Sequence, residues 1–436
     1  MQPIQVGLLG IGTVGSGTFN VLLRNQAEIQ RRAGRGIAIT MVADLDIARA
    51  RAVVGDGVEV VADARAVIAN PTIDIVVELI GGYGIARTLV LEAIAAGKHV
   101  VTANKALLAV HGTEIFAAAR ARGVVVAFEA AVAGGIPIIK ALREGLTANR
   151  IEWVAGIING TTNFILSEMR SKGLDFGVVL KQAQALGYAE ADPTFDIEGI
   201  DAAHKATLMS AIAFGVPVQF DKAYVEGITA LQAADIRYAE QLGYRIKLLG
   251  ITKRMAGGIE LRVHPTLIPS NRLIANVEGA MNAVVVQGDA VGATLYYGKG
   301  AGSEPTASAV IADLVDITRL HTADPGHRVP YLAFQPGAME DTRILPIAEV
   351  VTAFYLRLVV ADKAGVLARI TGILAEHEIS IDAVLQRESA EGEKQTDLII
   401  LTHDTVEGRM QAALALMQAL PTVLAPIVRI RKEELN

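Results

Sequence analysis

Ile4-Gln5-Val6-Gly7-Leu8-Leu9-Gly10-Ile11-Gly12-Thr13-Val14-Gly15 is the stretch from which the fold is read. Ile4 to Leu9 is an apolar run of strand length, and Phe19, Leu22 and Leu23 follow the glycines at helical spacing with Arg24 on the other side. Strand, glycine turn and helix is the context in which G-x-G-x-x-G counts as a dinucleotide fingerprint. Gly10 permits the tight turn, Gly12 lets a pyrophosphate approach the backbone, and Gly15 allows close helix–strand packing. Phosphate would rest on N–H groups at the helix start, where Thr13 and Val14 lie.

A second strand, Ile37 to Ala43, ends in Asp44. An acid at that place accepts a hydrogen bond from an adenosine ribose and repels a 2′-phosphate; it serves equally as a helix cap. Asp44 lies further from the glycines than the usual ~20 residues, because a polar, Arg-rich insertion runs from Gln26 to Gly36. Strands at Ile75 to Ile80, Lys98 to Thr102 and Gly123 to Phe128 alternate with helical stretches. That rhythm predicts an α/β, Rossmann-like doubly wound parallel sheet with right-handed crossovers. Thr102 and Lys105 then fall at its carboxyl edge, where ligands bind. Lys105 is placed to face a cofactor or a substrate carboxylate, or simply to open the next helix. Glu129, Val132, Gly134 and Ile136 sit in a Gly-rich connection whose carbonyls, with one carboxylate, suit a hard, weakly held cation.

Beyond the sheet, Ile151 to Ile158 reads as a strand and Asn159-Gly160-Thr161-Thr162-Asn163 as a polar turn into a helix ending at Met169. A helix from Phe176 to Leu186 leads into the acid-rich stretch from Gly187 through Tyr188, Glu190, Asp192, Asp196, Glu198 and Asp201 to Lys205. Pro193 breaks any preceding helix, and a new one is expected from about Glu198. On it Asp201 and Lys205 share a face, either as an exposed i,i+4 pair or as an acid beside a base. Strands at Ile246 to Arg254, Ile259 to His264, Ala283 to Gln287 and Ala290 to Tyr297 suggest an open sheet covered by helices. The turn Gly298 to Thr306, which contains Gly302, opens a helix through Leu320 that can fold back on the first domain.

After a Pro-containing linker, Gln335 to Pro346, the pattern changes. Strands at Thr352 to Val360, Ser380 to Gln386, Thr396 to Leu401 and Val423 to Ile430 alternate with helices ending at Glu376 and Met417, in βαββαβ order. The first helix opens at Asp362-Lys363-Ala364-Gly365-Val366-Leu367. This module resembles an ACT domain, a small regulatory amino-acid binder; a purely structural dimerisation module is the alternative.

Composition narrows the choices. The chain has 436 residues, 52% of them hydrophobic, a net charge of −6 and no cysteine. Several domains are expected from that length. The charge invites neither nucleic acid nor an anionic membrane. Without cysteine there are no disulfides, thiolate nucleophiles or cysteine zinc sites, in keeping with a cytoplasmic protein. Apolar runs are interrupted before ~18 residues, so no membrane helix is expected.

Taken in order, these motifs resemble homoserine dehydrogenase from Ile4 to about Leu320, followed by the ACT-like module. The resemblance implies an NAD(P)-binding domain over residues 1–133, completed by about 301–335. It implies an α+β catalytic and dimerisation domain with an open sheet over 134–300, and an ACT regulatory domain over 347–436. It makes Lys205 the acid/base, with Asp201 and Lys105 beside it. Glu190 would hold the substrate amino group, with Gly160, Thr161, Gly187, Tyr188 and Asp196 lining the pocket. Gly10, Gly12, Thr13, Val14, Gly15, Asp44, Thr102, Lys105 and Gly302 would hold NADP or NAD. Glu129, Val132, Gly134 and Ile136 resemble a sodium site, and Asp362 and Gly365 would serve an effector, threonine. The reaction implied interconverts L-homoserine and L-aspartate 4-semialdehyde, in a homodimer or homotetramer. Many relatives carry an arginine before the acid of the second strand; here it is Ala43, which weakens the case for a 2′-phosphate. The rival from another class is a non-catalytic amino-acid and dinucleotide sensor.

Overall fold

Ile4–Leu9 is buried on both sides because it lies inside a six-stranded sheet whose faces are covered by helices. The computed structural model of the chain describes residues 2–321, 323–325, 328–386 and 394–436. They group into two compact units.

The first unit comprises Met1–Ile158, His204–Asp221 and Asn282–Thr342. Its parallel sheet consists of β1 (Ile4–Leu9), β2 (Ile37–Ala43), β3 (Glu59–Val61), β4 (Ile75–Glu78), β5 (His99–Thr102) and β6 (Val126–Ala127). The order is β3-β2-β1-β4-β5-β6, so the strand order reverses beside β1 and leaves a crevice at its carboxyl end. The helix Ser303–Leu320 packs against the helix Thr13–Arg24, and its Ala307, Val310 and Leu314 join Ile4, Val6 and Leu8 in one core. Gly17 allows this approach, since a Cβ there would lie 2.4 Å from Ser303 Oγ. The same unit holds the antiparallel pairing of Ile151–Ile157 with Ala283 to Gly288.

Three sequence expectations change here. The Gln26–Gly36 insertion is a helix, Gln26–Ala33, closed by Gly34 at φ 82°. Only Ile29 and Ala33 are buried on it, while Glu28 pairs with Arg31 and Arg32, so its helical period is masked by charge. The short edge strand β3 carries too few residues to show a period. Of Gly123 to Phe128 only Val126–Ala127 pairs, because the chain turns at Glu129–Ala131.

The second unit comprises Asn159–Ala203, Lys222–Met281 and Arg343–Asn436. Tyr244–Met255 and Gly258–Pro269 form a long antiparallel hairpin, each strand longer than the sequence pattern indicated. Val351–Ala361 pairs with Gln395–Thr402 on one side and Val428–Lys432 on the other, and Gln395–Thr402 pairs with Ile381–Gln386. With the helices Val366–Glu376 and Glu407–Gln418 this is the expected βαββαβ module. Along Val351–Ala361, Phe354, Leu356, Leu358 and Val360 face the helices, each contributing ~1.5–3 kcal/mol by burial. The residues between them, Tyr355 and Arg357, turn to the opposite face, where both bond Asp235.

The last strand lies at Val428–Lys432 rather than Val423 to Ile430; Val423 makes only an isolated bridge to Val360. This strand also pairs in parallel with Gly258–Pro269, so the module shares a sheet with the hairpin. The end of the linker is pinned too, since Ile259 N–H donates to the Arg343 carbonyl and Leu345 N–H to the Ile259 carbonyl, around Ile344. Buried charges line the seam. Arg431 pairs with Glu407 and Glu226, and Arg262 with Glu260 and Glu433. Pairing of this kind is what allows a charged strand to be buried at all.

Candidate active site

The crevice beside β1 is built for a dinucleotide. Gly10 has φ 93°, and a Cβ there would meet the Leu79 carbonyl at 2.9 Å. At Gly15 a Cβ would lie 2.2 Å from the Gly10 carbonyl, so only glycine lets the helix leave the strand at this angle. Gly12 faces open space, the cradle a pyrophosphate needs. The adjoining cavity of about 510 Å³ is lined by Gly10, Gly12, Ala43, Asp44, Arg49 and Arg65 among others. Gly302 has φ 125° and starts the helix whose Ser303 Oγ donates to the Thr13 carbonyl.

Asp44 does more than end a strand. One oxygen accepts the Ile11 N–H at 2.7 Å, the other accepts the Asp46 N–H, and the Arg49 guanidinium spans both at 3.1 Å. Burial raises its carboxyl, but those N–H groups and Arg49 outweigh burial and hold it below the usual range. Asp44 is thus not the helix cap, a role taken by Asp46. At the edge of β4, buried Glu78 accepts the Thr102 hydroxyl at 2.7 Å and the N–H groups of Ile80 and Gly81. Glu78 escaped the sequence reading; its signal was an acid ending an otherwise apolar strand. Lys105 opens the helix Lys105–Arg122, capped by Asn104.

Glu129 differs from its expected role. Both carboxylate oxygens accept backbone N–H groups, of Ile139 and Lys140 at 2.9 Å, and its own N–H donates to Asp313. Its side chain is therefore committed to the start of the next helix. The carbonyls of Val132 and Gly134 accept no hydrogen bond among the described residues, and Ala133 and Gly134 are both left-handed, at φ 56° and 51°. Any cation there would be held through main-chain oxygen.

Burial pushes the Asp313 carboxyl up to about 8, with Glu129 adding to the rise, and burial takes Glu129 to about 7 against its N–H partners. An unfolded carboxyl titrates near ~4. Between about pH 4 and 8 the folded chain therefore binds more protons than the unfolded one, and stability falls as pH rises. Asp313→Asn keeps an acceptor for Glu129 N–H and removes one titration. Relative to the parent, it should gain stability between pH 5 and pH 8.5 in denaturant unfolding; an equal difference at both values would refute the effect.

The helix that carries Asp201 and Lys205 is Ile200–Phe214, preceded by a short turn Thr194–Ile197. Asp201 and Lys205 are 4% and 8% exposed, which excludes the exposed-pair reading. Lys205 Nζ donates to the Ile158 carbonyl at 2.7 Å, at the end of strand Ile151–Ile157. In the second unit the next residue, Asn159, donates through Nδ2 to Asp196 at 2.7 Å and Asp201 at 2.9 Å. Its Oδ1 caps the helix Gly160–Lys172 by accepting Thr162 N–H at 2.8 Å. Asn159 is the residue sequence reasoning quoted but gave no site role, because capping explained it.

Around it, Thr161 Oγ1 donates to the Tyr188 carbonyl at 2.7 Å, and the Tyr188 ring stacks on Phe164 at 4.5 Å. Gly160 must be glycine, since a Cβ would sit 2.8 Å from the Ala280 carbonyl. Gly187, at φ 76°, turns the chain out of the Phe176–Ala185 helix. Glu190 lies on the exposed part of this loop and its carboxylate makes no hydrogen bond among the described residues. The structure thus gathers Asn159, Asp196 and Asp201, sets Thr161 with Tyr188, and leaves Glu190 on the rim. Asp362 and Gly365 lie in the turn where the helix Val366–Glu376 begins, with Gly365 at φ 87°. Among the described residues no cluster of three histidines or acids is poised for a metal, and no helix is long and apolar enough to cross a membrane.

Comparison with known proteins gives the family of each part of the chain. The homoserine dehydrogenase profile matches residues 137–315, its NAD-binding domain residues 10–129, and the ACT domain residues 354–422. A homoserine dehydrogenase of Pseudomonas aeruginosa is 62% identical over 437 residues, and one of Neisseria gonorrhoeae 57% over 436, each covering 100% of both chains. A crystal structure of a homoserine dehydrogenase from Thiobacillus denitrificans is similar with a TM-score of 0.96 and 66% identity, covering 100% of this chain and 99% of that one.

Proposed function

The chain belongs to the homoserine dehydrogenase family of NAD(P)-dependent oxidoreductases, and we propose that it interconverts L-homoserine and L-aspartate 4-semialdehyde with Lys205 as the proton carrier. The observation that carries this reading is the burial of Lys205 with its Nζ anchored at the Ile158 carbonyl, one helical turn from Asp201. When bound, the nicotinamide supplies or accepts the hydride. In the reducing direction Lys205, as an ammonium, gives a proton to the alkoxide forming at the aldehyde carbon. The Ile158 carbonyl orients that ammonium. Glu190 receives the substrate's amino group, Gly160, Thr161, Tyr188 and Asp196 line the pocket, Asp201, held by Asn159, orients the substrate, and Lys105 serves nicotinamide and substrate. The test follows reduced-nicotinamide absorbance with L-homoserine and NAD or NADP. A folded protein that turns over neither pair is not this enzyme, and would fit a sensor instead.

Both cofactors are accepted in this reading, with NAD at least as good. Asp44 suits a ribose hydroxyl, Ala43 supplies no cation, and Arg49, half exposed, can release Asp44 to meet a 2′-phosphate. Arg49→Ala should shift the kcat/KM ratio toward NAD by ~10-fold, the effect of one charge-assisted contact. An unchanged ratio removes Arg49 from phosphate binding, and a wild-type preference of a hundredfold for NADP overturns the NAD reading.

Sodium is held, in the same proposal, by carbonyls of Glu129, Val132, Gly134 and Ile136. The module after residue 347 senses threonine and aids assembly into dimers or tetramers. What supports regulation is its amino-acid-binding family and its shared strand with the hairpin. Cutting the chain after Pro346 would remove Val428–Lys432 from that sheet, so tests of regulation need the full chain.

A further inference from the structure

We propose that Lys247, through its ammonium, is a positioning residue for the amino-acid substrate: it clamps residues 277–281 against the start of the helix that carries Gly160 and Thr161. This rests on the reading above, in which Gly160 and Thr161 line the substrate pocket, and adds a residue that acts through them. Lys247 lies on the strand Tyr244–Met255 and is 2% exposed. Its Nζ donates to the Val277 carbonyl at 2.6 Å and to Asn163 Oδ1 at 3.2 Å, and it pairs with Glu278 at 3.3 Å. An ammonium is buried this far only where fixed acceptors replace water. Here those acceptors belong to one segment of backbone and one helix.

Asn163 completes the clamp. Its Nδ2 donates to the carbonyls of Val277, Gly279 and Met281 at 2.9 to 3.1 Å. Ser167 Oγ accepts the Gly279 N–H at 3.0 Å and donates to the Asn163 carbonyl at 2.7 Å. Residues 277–281 therefore curl around one amide, with Gly279 at φ 64° to make the turn. What this fixes is Ala280, whose carbonyl lies 2.8 Å from where a Gly160 Cβ would be. Asn163 stands one turn after Asn159, which caps the same helix, Gly160–Lys172, and grips Asp196 and Asp201. The clamp thus sets where Gly160 and Thr161 sit relative to those two acids.

Charge surrounds the ammonium from every element packed on it. Glu278 comes from the clamped segment, Arg170 from the helix Gly160–Lys172 and Arg245 from its own strand. Both arginines pair with Glu240 of the helix Ala233–Gln241, and Arg170 pairs with Glu278 as well. Burial brings the Lys247 ammonium down to about 8 against the pull of Glu278, and Arg170 and Arg245 add to the fall. The clamp is therefore charged at pH 7 and largely neutral at pH 9.5.

The test is calorimetric titration of the full-length protein with L-homoserine under saturating NADH or NADPH, neither of which can accept a hydride. Lys247→Met keeps the unbranched stem and removes the charge. Its Kd for homoserine should rise ~10-fold at pH 7, the effect of one lost charge-assisted contact, with the Kd for the reduced cofactor unchanged. The ligand's own titration cancels in the ratio of variant to parent, so that ratio should shrink at pH 9.5, where the parent lysine is itself neutral. A packing role would leave it the same at both values. Ser167→Ala is the milder change in case the first fails to fold, and should raise the homoserine Kd ~2–10-fold, the range of a neutral hydrogen bond. An unchanged homoserine Kd in either folded variant, an equal rise for the cofactor, or one ratio at both pH values overturns the assignment, and turnover of homoserine then leaves the dehydrogenase reading standing. The expected shifts in protein that binds homoserine without oxidising it support the clamp and overturn the dehydrogenase reading alone. Parent protein that neither binds nor oxidises homoserine overturns both.

Discussion

Lys205→Ala should lower kcat by ~10²–10⁴-fold, the usual contribution of a positioned acid–base group. The side chain is buried and its Nζ is fixed on the Ile158 carbonyl. The variant also leaves the Ile158 carbonyl without that donor, which costs ~1–3 kcal/mol of stability. Thermal unfolding run beside the kinetics separates the two effects. Lys205→Arg sharpens the test, since it keeps a cation for Ile158 but, as a guanidinium that stays charged, barely releases a proton. Arg should therefore recover more stability than turnover. Near-normal kcat in either folded variant would remove Lys205 from the proton path.

The second large effect is expected at Asn159. Asn159→Ala removes the donor shared by Asp196 and Asp201 together with the helix cap at Thr162. Each hydrogen bond to a charged group is worth ~1.5–3 kcal/mol, so kcat/KM should fall ~10²-fold or more. The cap alone accounts for only ~1 kcal/mol of stability. Asn159→Ser tells the roles apart, because serine caps a helix but cannot reach both acids. Its melting temperature should stay near the parent's while kcat/KM remains as low as in the alanine variant. Recovery of kcat/KM in Asn159→Ser would make Asn159 a cap and nothing more.

Much of this was legible because it depends on local rules. The strand, glycine turn and helix from Ile4 to Arg24 follow from apolar spacing and from backbone that only glycine adopts. The βαββαβ order after Val351 shows in alternation and turn residues. Asp201 and Lys205 fall on one helix face by arithmetic alone. Where residues looked polar the reading slipped. The helix Gln26–Ala33 buries too narrow a side to show its period, and the strand end near Lys432 was placed too early.

The sequence by itself therefore determined the nucleotide-binding sheet, the helix of Asp201 and Lys205, the ACT module, and through their order the family. Only the tertiary structure decided which charges are buried and what they hold. Arg431, Glu433 and Glu407 look like solvated residues, yet each is buried against a partner distant in the chain. It likewise decided that the Glu129 carboxylate serves a helix start, that Asn159 grips two acids, and that Arg357 is buried against Asp235. The reason is physical. Apolar burial follows a local period that can be read along the chain, whereas a buried charge is stable only beside a partner that folding brings from far away.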